Sequence, residues 1–199
     1  MQYFVLITIC SIELIMKGTE QELVEGCCRG DNTARKELYD AYAGRLLAVC
    51  MRYLSDRATA EDMLHDSFIK IFASLSKFTY RGEGSLRAWM ERVTVNIVLE
   101  YLRRNKKNII SNVEDGDIPD IQDAPSDDVA RVPYEVIMRC VQELPDGYRT
   151  VFNLFCIEGW SHREIADSLG INEKSSSSQL TRAKSILAIK LKEYLKKMK

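Results

Sequence analysis

The sequence predicts an all-α protein of two small helical domains joined by an acidic, flexible linker. After residue 16, apolar residues recur at three- and four-residue spacing, and no useful run of strand-like alternation occurs. Residues 113–128 are rich in Asp and Glu, contain two prolines and lack Lys and Arg. Clustered like charges with proline resist packing, so this segment is interpreted as a linker. The predicted division is an apolar extension at 1–16, a first domain at 17–108, the linker at 109–132 and a second domain at 133–199.

The first 15 residues differ from the rest of the chain. They are apolar, but Glu13 interrupts them and they are too short to span a bilayer. They also lack the basic region and the small-residue cleavage site of a signal peptide. We interpret them as an over-extended gene start, with Met16 as the natural first residue. The alternative is an apolar segment that packs on a partner or on the body of the protein.

The composition excludes some function classes. The 199 residues are 46% hydrophobic and 29% charged, with a formal net charge of −1, so the chain is not a polycation that coats DNA. Any affinity for nucleic acid must come from local clusters of basic residues. The six cysteines show no C-x-x-C spacing and the two histidines are far apart, so we expect no metal and no cofactor.

The cysteines fit a reducing cytoplasm. Cys50, Cys140 and Cys156 fall on apolar helix faces and are expected to be buried. A redox role for the adjacent, more polar pair Cys27 and Cys28 is the weaker alternative.

A helix-turn-helix motif is predicted between Gly159 and Lys184. Ser161 and Glu164 form a capping box, and Gly170 supplies the positive φ that ends the first helix. Asn172 can cap the second helix, whose start is short or cationic and could approach DNA bases and phosphates closely. These candidate residues are Lys174, Ser175, Ser177, Ser178, Thr181 and Arg182. The alternative is an ordinary helical hairpin with a solvated serine face, although the basic end of the chain favours a DNA contact.

The first domain is predicted to contain four helices. They begin near Thr19, at Asp31 or Asn32, at Thr59, and at Ser85. The fourth helix is expected to turn the following side chains toward the core: Leu86, Trp89, Val93, Ile97 and Tyr101.

Aromatic residues alternate with arginines between Phe78 and Arg104. Such a pattern suits single-stranded nucleic acid, because rings stack on unpaired bases while guanidinium groups hold the backbone. Trp89 falls on the apolar face and is interpreted mainly as a core residue. The candidates for binding are Tyr80, Arg81, Arg87, Arg92, Asn96, Arg103 and Arg104.

Three carboxylates, Glu61, Asp62 and Asp66, cluster on the third helix. Paired carboxylates can act as general acid and base. No nucleophile, metal-ligand set or phosphate-binding loop accompanies them, so the sequence does not predict an enzyme. An acidic helix face that meets a basic partner is favoured.

Three motifs, in this order, resemble the extracytoplasmic-function sigma factors of the sigma-70 family. They are AEDMLHDSF at 60–68, YRGEGSLRAWMERVTVN at 80–96, and the helix-turn-helix at 159–184. The resemblance covers about residues 17–197. One departure is that Ser175, Ser176 and Ser177 stand where the family often has Gly-Thr-Val and a Lys or Arg.

The resemblance implies a transcription initiation factor whose partners are core RNA polymerase and promoter DNA. Many members are also held by an anti-sigma factor, so such a partner is an open expectation. Region 2 of the family binds polymerase and reads the −10 element, and region 4 reads the −35 element. The implied polymerase contacts are Glu61, Asp62, Asp66 and Phe68. The implied −10 contacts are the Tyr80–Arg104 candidates, and the implied −35 contacts are the helix-turn-helix candidates with Arg149. The alternative is a helix-turn-helix regulator without polymerase contact.

Overall fold

The computed structural model describes residues 19–105 and 132–198, and every regular element in these ranges is helical. The all-α fold class is therefore confirmed. The predicted linker, the apolar extension and Cys10 lie outside the described residues. In the described ranges, no helix has both the length and the apolar character needed to cross a membrane.

The chain divides into two compact units. Among the described residues, the first unit comprises 19–51 and 56–98, and the second comprises 52–55, 99–105 and 132–198. Two small helical units agree with the predicted class, while the last residues of two first-unit helices group with the second unit.

Four α-helices build the first unit. They are α1 (Glu20–Cys28), α2 (Asn32–Tyr53), α3 (Arg57–Ser74), which continues into a 3₁₀ turn at Leu75–Lys77, and α4 (Ser85–Arg104). The predicted capping box of Thr19 and Glu22 starts α1. Asp31 caps α2, because its Oδ1 accepts a hydrogen bond from the Thr33 amide at 2.8 Å.

The third helix begins at Arg57, two residues before the predicted start at Thr59. Asp56 is its N-cap, and its Oδ2 accepts from the Thr59 amide at 2.8 Å and from the Thr59 hydroxyl at 2.6 Å. These hydrogen bonds hold the pKa of the Asp56 carboxyl below its ordinary value. Asp is as good an N-cap as Thr, so the sequence was compatible with either start. In the structure Asp56, and not Thr59, is the N-cap of α3.

The fourth helix buries a different face from the predicted one. Leu86 is buried as expected, but Trp89 and Val93 are only half-buried. The face that is buried instead carries Met90, Thr94, Val95, Val98, Leu99 and Leu102. The Thr94 hydroxyl donates to the Met90 carbonyl at 3.0 Å, so the polar group costs little inside the unit. Two apolar stripes run side by side along α4, and periodicity alone did not distinguish them.

The second unit contains α5 (Tyr134–Gln142), α6 (Asp146–Phe152) with a π turn at Asn153–Ile157, α7 (His162–Leu169) and α8 (Glu173–Lys197). The predicted apolar faces of α5 and α8 pack together in its core. The buried members of this core are Val132, Val136, Cys140, Val141, Leu144, Tyr148, Ala183, Leu187 and Leu191.

The helix-turn-helix forms as predicted. Ser161 and Glu164 make the full capping box of α7, and Gly170 ends this helix with a φ of 67°. Asn172 Oδ1 then accepts from the Ser175 amide at 2.6 Å and starts α8. Ile171, in the turn, is half-buried. The turn therefore fixes where α8 begins.

We expect Asn172→Ala to lower the free energy of unfolding of the second unit by about 1 kcal/mol, because the Ser175 amide loses its acceptor. Urea unfolding would be followed by fluorescence in a Trp89→Phe background, where Trp160 is the remaining tryptophan and reports on the second unit. Asn172→Ser, which keeps an acceptor, should stay within a few tenths of a kcal/mol of the parent. Equal stability of the parent and the Asn172→Ala variant would show that the cap contributes nothing.

Candidate functional site

An acidic face of α3 carries the predicted polymerase contacts. Asp62 and Asp66 are exposed. Glu61 is half-buried, and its Oε1 accepts from Arg57 Nε at 2.8 Å. Both aspartates are thus available to a partner, whereas part of the charge of Glu61 is already balanced within the helix.

Phe68 lies in the core, on the predicted apolar face of α3, and its role as a polymerase contact stays a prediction. It is 4% exposed, and its ring centroid lies 4.6 Å from that of Tyr39 and 5.8 Å from that of Phe72. A partner could reach it only by disrupting this aromatic cluster. The next residue, Ile69, is 68% exposed.

Asp62, Asp66 and Ile69 form what we call the α3 docking face. Their spacing of four and then three residues places them on one side of the helix. Sequence reasoning missed Ile69, although one signal was present. Ile69 lies outside the apolar stripe of Leu64, Phe68 and Ile71, so its large apolar side chain was not expected to pack in the core.

The loop that precedes α4 carries two predicted −10 contacts. Tyr80 is half-buried and Arg81 is exposed. Gly82 and Gly84 have φ values of 108° and 80°, which favour glycine. The Ser85 hydroxyl donates to the Gly82 carbonyl at 2.6 Å and accepts from the Arg81 amide at 3.2 Å. These two hydrogen bonds hold the loop against the start of α4.

The exposed face of α4 carries three of the predicted −10 residues. Arg92, Asn96 and Arg103 are exposed, and their spacing of four and seven residues aligns them along the helix. Arg104 is exposed but pairs with Glu100. We call Arg92, Asn96 and Arg103 the α4 stripe.

Arg87, a further −10 candidate, and Trp89 are less exposed than the α4 stripe. Arg87 is half-buried. Trp89 is also half-buried, and its ring packs 5.1 Å from that of Phe78. This packing agrees with the interpretation of Trp89 as mainly structural.

The first turns of α8 carry most of the predicted −35 residues. Lys174, Ser177, Ser178 and Thr181 are exposed on one side of the helix, at spacings of three, four and seven residues from the lysine. We call these four residues the α8 face. The neighbouring candidates Ser175 and Arg182 are half-buried, and an Arg182 guanidinium nitrogen lies 3.4 Å from the Tyr148 hydroxyl.

Arg149 is buried in the second unit, and its role as a DNA backbone contact stays a prediction. It is 3% exposed. Its guanidinium donates to the carbonyls of Gln142 and Leu144, at 2.8 and 3.2 Å, and bonds to the Asp146 carboxylate. The orphaned carbonyls at the end of α5 thus find a cationic donor, which is a common use of arginine at a helix C-terminus. A phosphate contact would require this network to open.

A histidine network that the sequence did not predict ties α7 to α8. His162 Nδ1 lies 2.9 Å from the hydroxyl of Ser176, which is completely buried. The Phe155 ring stacks on His162 at 4.6 Å, and the Lys184 ammonium lies 5.8 Å from the centre of the Phe155 ring. The network holds the recognition helix against the π turn and α7. Its only sequence signal was a small residue, Ser176, on the inward side of the serine run.

Cys50 and Cys140 are buried as predicted, whereas Cys156 is exposed. Burial raises the pKa of the Cys27 thiol to about 11, whereas Cys28 is exposed. Cys156 is exposed because it lies in the π turn, whose wider spacing moves side chains off the face that an α-helical period predicts. In the ranges that the structure describes, no cluster of His, Cys, Asp and Glu could hold a metal ion.

Residues 38–108 match the family description of Sigma-70 region 2, and residues 134–187 match that of Sigma-70 region 4. Together the two matches span more than half of the chain, in the order that the resemblance predicted. The chain belongs to the sigma-70 family. The predicted membership of the sigma-70 family is therefore confirmed. The α4 stripe lies in region 2, and the α8 face lies in region 4.

The chain matches curated bacterial sigma factors over most of their length. The ECF RNA polymerase sigma-E factor of Haemophilus influenzae is 28% identical over 183 residues, covering 87% of this chain and 95% of the relative. The RNA polymerase sigma-H factor of Pseudomonas aeruginosa is 27% identical, covering 86% of this chain and 93% of the relative. A solved structure of the sigma factor RpoE with the anti-sigma factor NepR from Bartonella quintana matches at 20% identity and a TM-score of 0.46, covering 79% of this chain and 96% of that one.

We expect Arg149→Gln to lower the free energy of unfolding of the second unit by about 1.5–3 kcal/mol, because buried carbonyls lose a charged donor. The same Trp160 fluorescence assay measures this loss. Arg163→Gln, which removes an exposed arginine on α7, is the matched control and should leave stability nearly unchanged. A stable Arg149→Gln protein that nevertheless lost DNA binding would support a direct contact between Arg149 and the DNA backbone.

Proposed function

We propose that this sigma-70 family member binds core RNA polymerase and directs it to promoters by contacting a −10 and a −35 element. The observation that carries the proposal is the pairing of two exposed recognition surfaces in one chain. The α4 stripe presents arginines and an amide, and the α8 face presents short polar side chains at the start of a recognition helix. Because polymerase is cytoplasmic, we also propose a cytoplasmic location.

The α3 docking face is proposed to bind polymerase. An isoleucine that is 68% exposed gives an apolar anchor, and Asp62 and Asp66 surround it with negative charge. Interfaces gain most of their binding energy from such a central anchor, while the charges at the rim set orientation and association rate. The fitting partner surface is an apolar pocket with a basic rim. Glu61, which pairs with Arg57, is assigned a supporting role.

The α4 stripe and the loop before it are proposed to hold the opened −10 strand. Arg92 and Arg103 can hold the phosphate backbone, and the Asn96 amide can both donate to and accept from the edge of an unpaired base. Tyr80 and Arg81 in the loop, together with Arg87 and Arg104, are proposed to extend this surface.

The α8 face is proposed to read the −35 duplex in the major groove. Ser177, Ser178 and Thr181 are short enough for the helix to approach base edges, and Lys174 can contact a phosphate. Ser175 and Arg182, which are half-buried, are proposed to lie at the margin of this contact. Few cations imply few phosphate contacts, so free DNA binding should be weak. Linking both surfaces on polymerase makes the second contact intramolecular and restores affinity. An anti-sigma factor is a further partner that we propose from the family resemblance alone.

We expect Ile69→Ser to weaken binding to core polymerase about tenfold, because the interface loses its apolar anchor. The double variant Asp62→Asn/Asp66→Asn should bind more weakly and with a smaller salt dependence, because two rim charges are lost. Fluorescence anisotropy of the labelled full chain with core polymerase measures both. Asp167→Asn, which removes one negative charge at an exposed position on α7, is the control for a change of charge away from this face. Wild-type affinity in all three would exclude this face, and a wild-type chain that never bound polymerase would favour the regulator without polymerase contact.

We expect Asn96→Ala and Thr181→Ala to change different promoter positions. Sequencing transcripts from randomised promoters should show relaxed preference at one −10 base for Asn96→Ala and at one −35 base for Thr181→Ala, each by about 1–3 kcal/mol of discrimination. Arg103→Gln, a proposed phosphate contact, should lower transcription without changing either preference. The assignment is contradicted if either variant relaxes the element assigned to the other.

A further inference from the structure

The carboxylate of Glu20, at the start of α1, joins two distant parts of the first unit. Its Oε1 accepts from the Tyr42 hydroxyl on α2 at 2.8 Å. Its Oε2 accepts from the Gly84 amide at 3.0 Å. Gly84 is the last residue of the loop that contains Tyr80 and Arg81. Glu20 itself lies outside the residues that match region 2.

The position of this carboxylate is fixed from α1 and from α2. The capping box of Thr19 and Glu22 sets the first turn of α1, in which Glu20 lies. Tyr42 is 1% exposed, so the position of its hydroxyl is set by the core. Burial and the hydrogen bond to Glu20 both raise the pKa of Tyr42, so the hydroxyl keeps its proton and remains a donor. Glu20 is thus a rigid acceptor that points at the loop.

The loop needs such an anchor. Gly82 and Gly84 both have positive φ values, and glycine loses more conformational entropy on ordering than any other residue. Ser85 holds one side of the loop through Arg81 and Gly82, but this contact is local. The bond from Glu20 connects the loop to a different helix. It also places a negative charge at the positive N-terminal end of α4.

We propose that Glu20 is a positioning residue that holds the loop at 80–84, and with it the first turn of α4, in the conformation that captures the −10 strand. Glu20 acts through the Gly84 amide and does not itself touch DNA. This inference rests on the proposed role of the loop and α4 in opening the −10 element. Removing the carboxylate should free the loop without disturbing the α3 docking face.

Promoter opening by the full chain with core polymerase tests this role. Permanganate reactivity of unpaired −10 thymines measures opening, and anisotropy measures polymerase binding. We expect Glu20→Ala to reduce opening of a duplex promoter about tenfold, as loss of roughly 1.4 kcal/mol in strand capture would do. Polymerase affinity should not change. On a template already mismatched across the −10 element the defect should shrink, because the cost of melting is removed.

Glu25→Ala is the matched control on the same helix, since it removes an exposed carboxylate from α1 and leaves the capping box of Thr19 and Glu22 in place. It should open promoters like the parent. Glu20→Gln should recover part of the activity, because the amide oxygen can still accept from Gly84. Amide hydrogen exchange gives a readout that is independent of transcription: residues 82–84 should exchange faster in Glu20→Ala and not in Glu25→Ala.

Three outcomes overturn the inference. Normal opening by Glu20→Ala removes the positioning role while leaving the proposed function intact. An equal loss in Glu25→Ala assigns the effect to the stability of α1. If the wild-type chain opens no promoter with polymerase, the proposed function fails and the role of Glu20 in opening fails with it.

Discussion

Each long helix of this protein can bury only one face, and this constraint decides which residues remain for binding. On α4 the burial of Leu86, Met90 and Val98 turns Arg92 and Asn96 outward. Burying one such side chain stabilises a fold by about 1.5–3 kcal/mol, whereas an exposed ion pair contributes roughly 0–1 kcal/mol. Apolar burial therefore sets the rotation of each helix, and the polar residues take the positions that are left. The same holds on α8, where Leu180, Ala183 and Leu187 face inward and the α8 face is left outside.

The second unit adds a constraint on where the recognition helix starts. Gly170 takes up a left-handed conformation at small cost, and Asn172 caps the next helix two residues later. The contact between His162 and Ser176 then holds α8 against α7 from the buried side. The α8 face is thus carried by a rigid element. Arg149 also helps to fix this unit, because its guanidinium satisfies helix-end carbonyls inside it.

Local rules were enough to predict the helices, the turn and most of the exposed candidates. The capping box of Ser161 and Glu164 and the left-handed Gly170 depend on residues within one turn of each other, so the sequence contains all the information needed. The features that the sequence did not predict depend on distant parts of the chain. Phe68 packs on Tyr39 and leaves Ile69 exposed, and the bond from Glu20 to Gly84 joins residues far apart in sequence. Helical periodicity cannot tell which of two adjacent apolar stripes faces the core, which is why the buried face of α4 was misassigned.

Transcription from a library of random promoters tests the central claim most directly. Core bacterial RNA polymerase would be incubated with the library, with and without the full chain, and the transcripts sequenced. Two recognition surfaces in one polymerase-bound chain predict new transcripts that depend on the protein and share two sequence elements at a constant spacing, near −35 and −10. A protein that binds DNA but never redirects polymerase would contradict the account, and its helix-turn-helix would then serve an ordinary regulator.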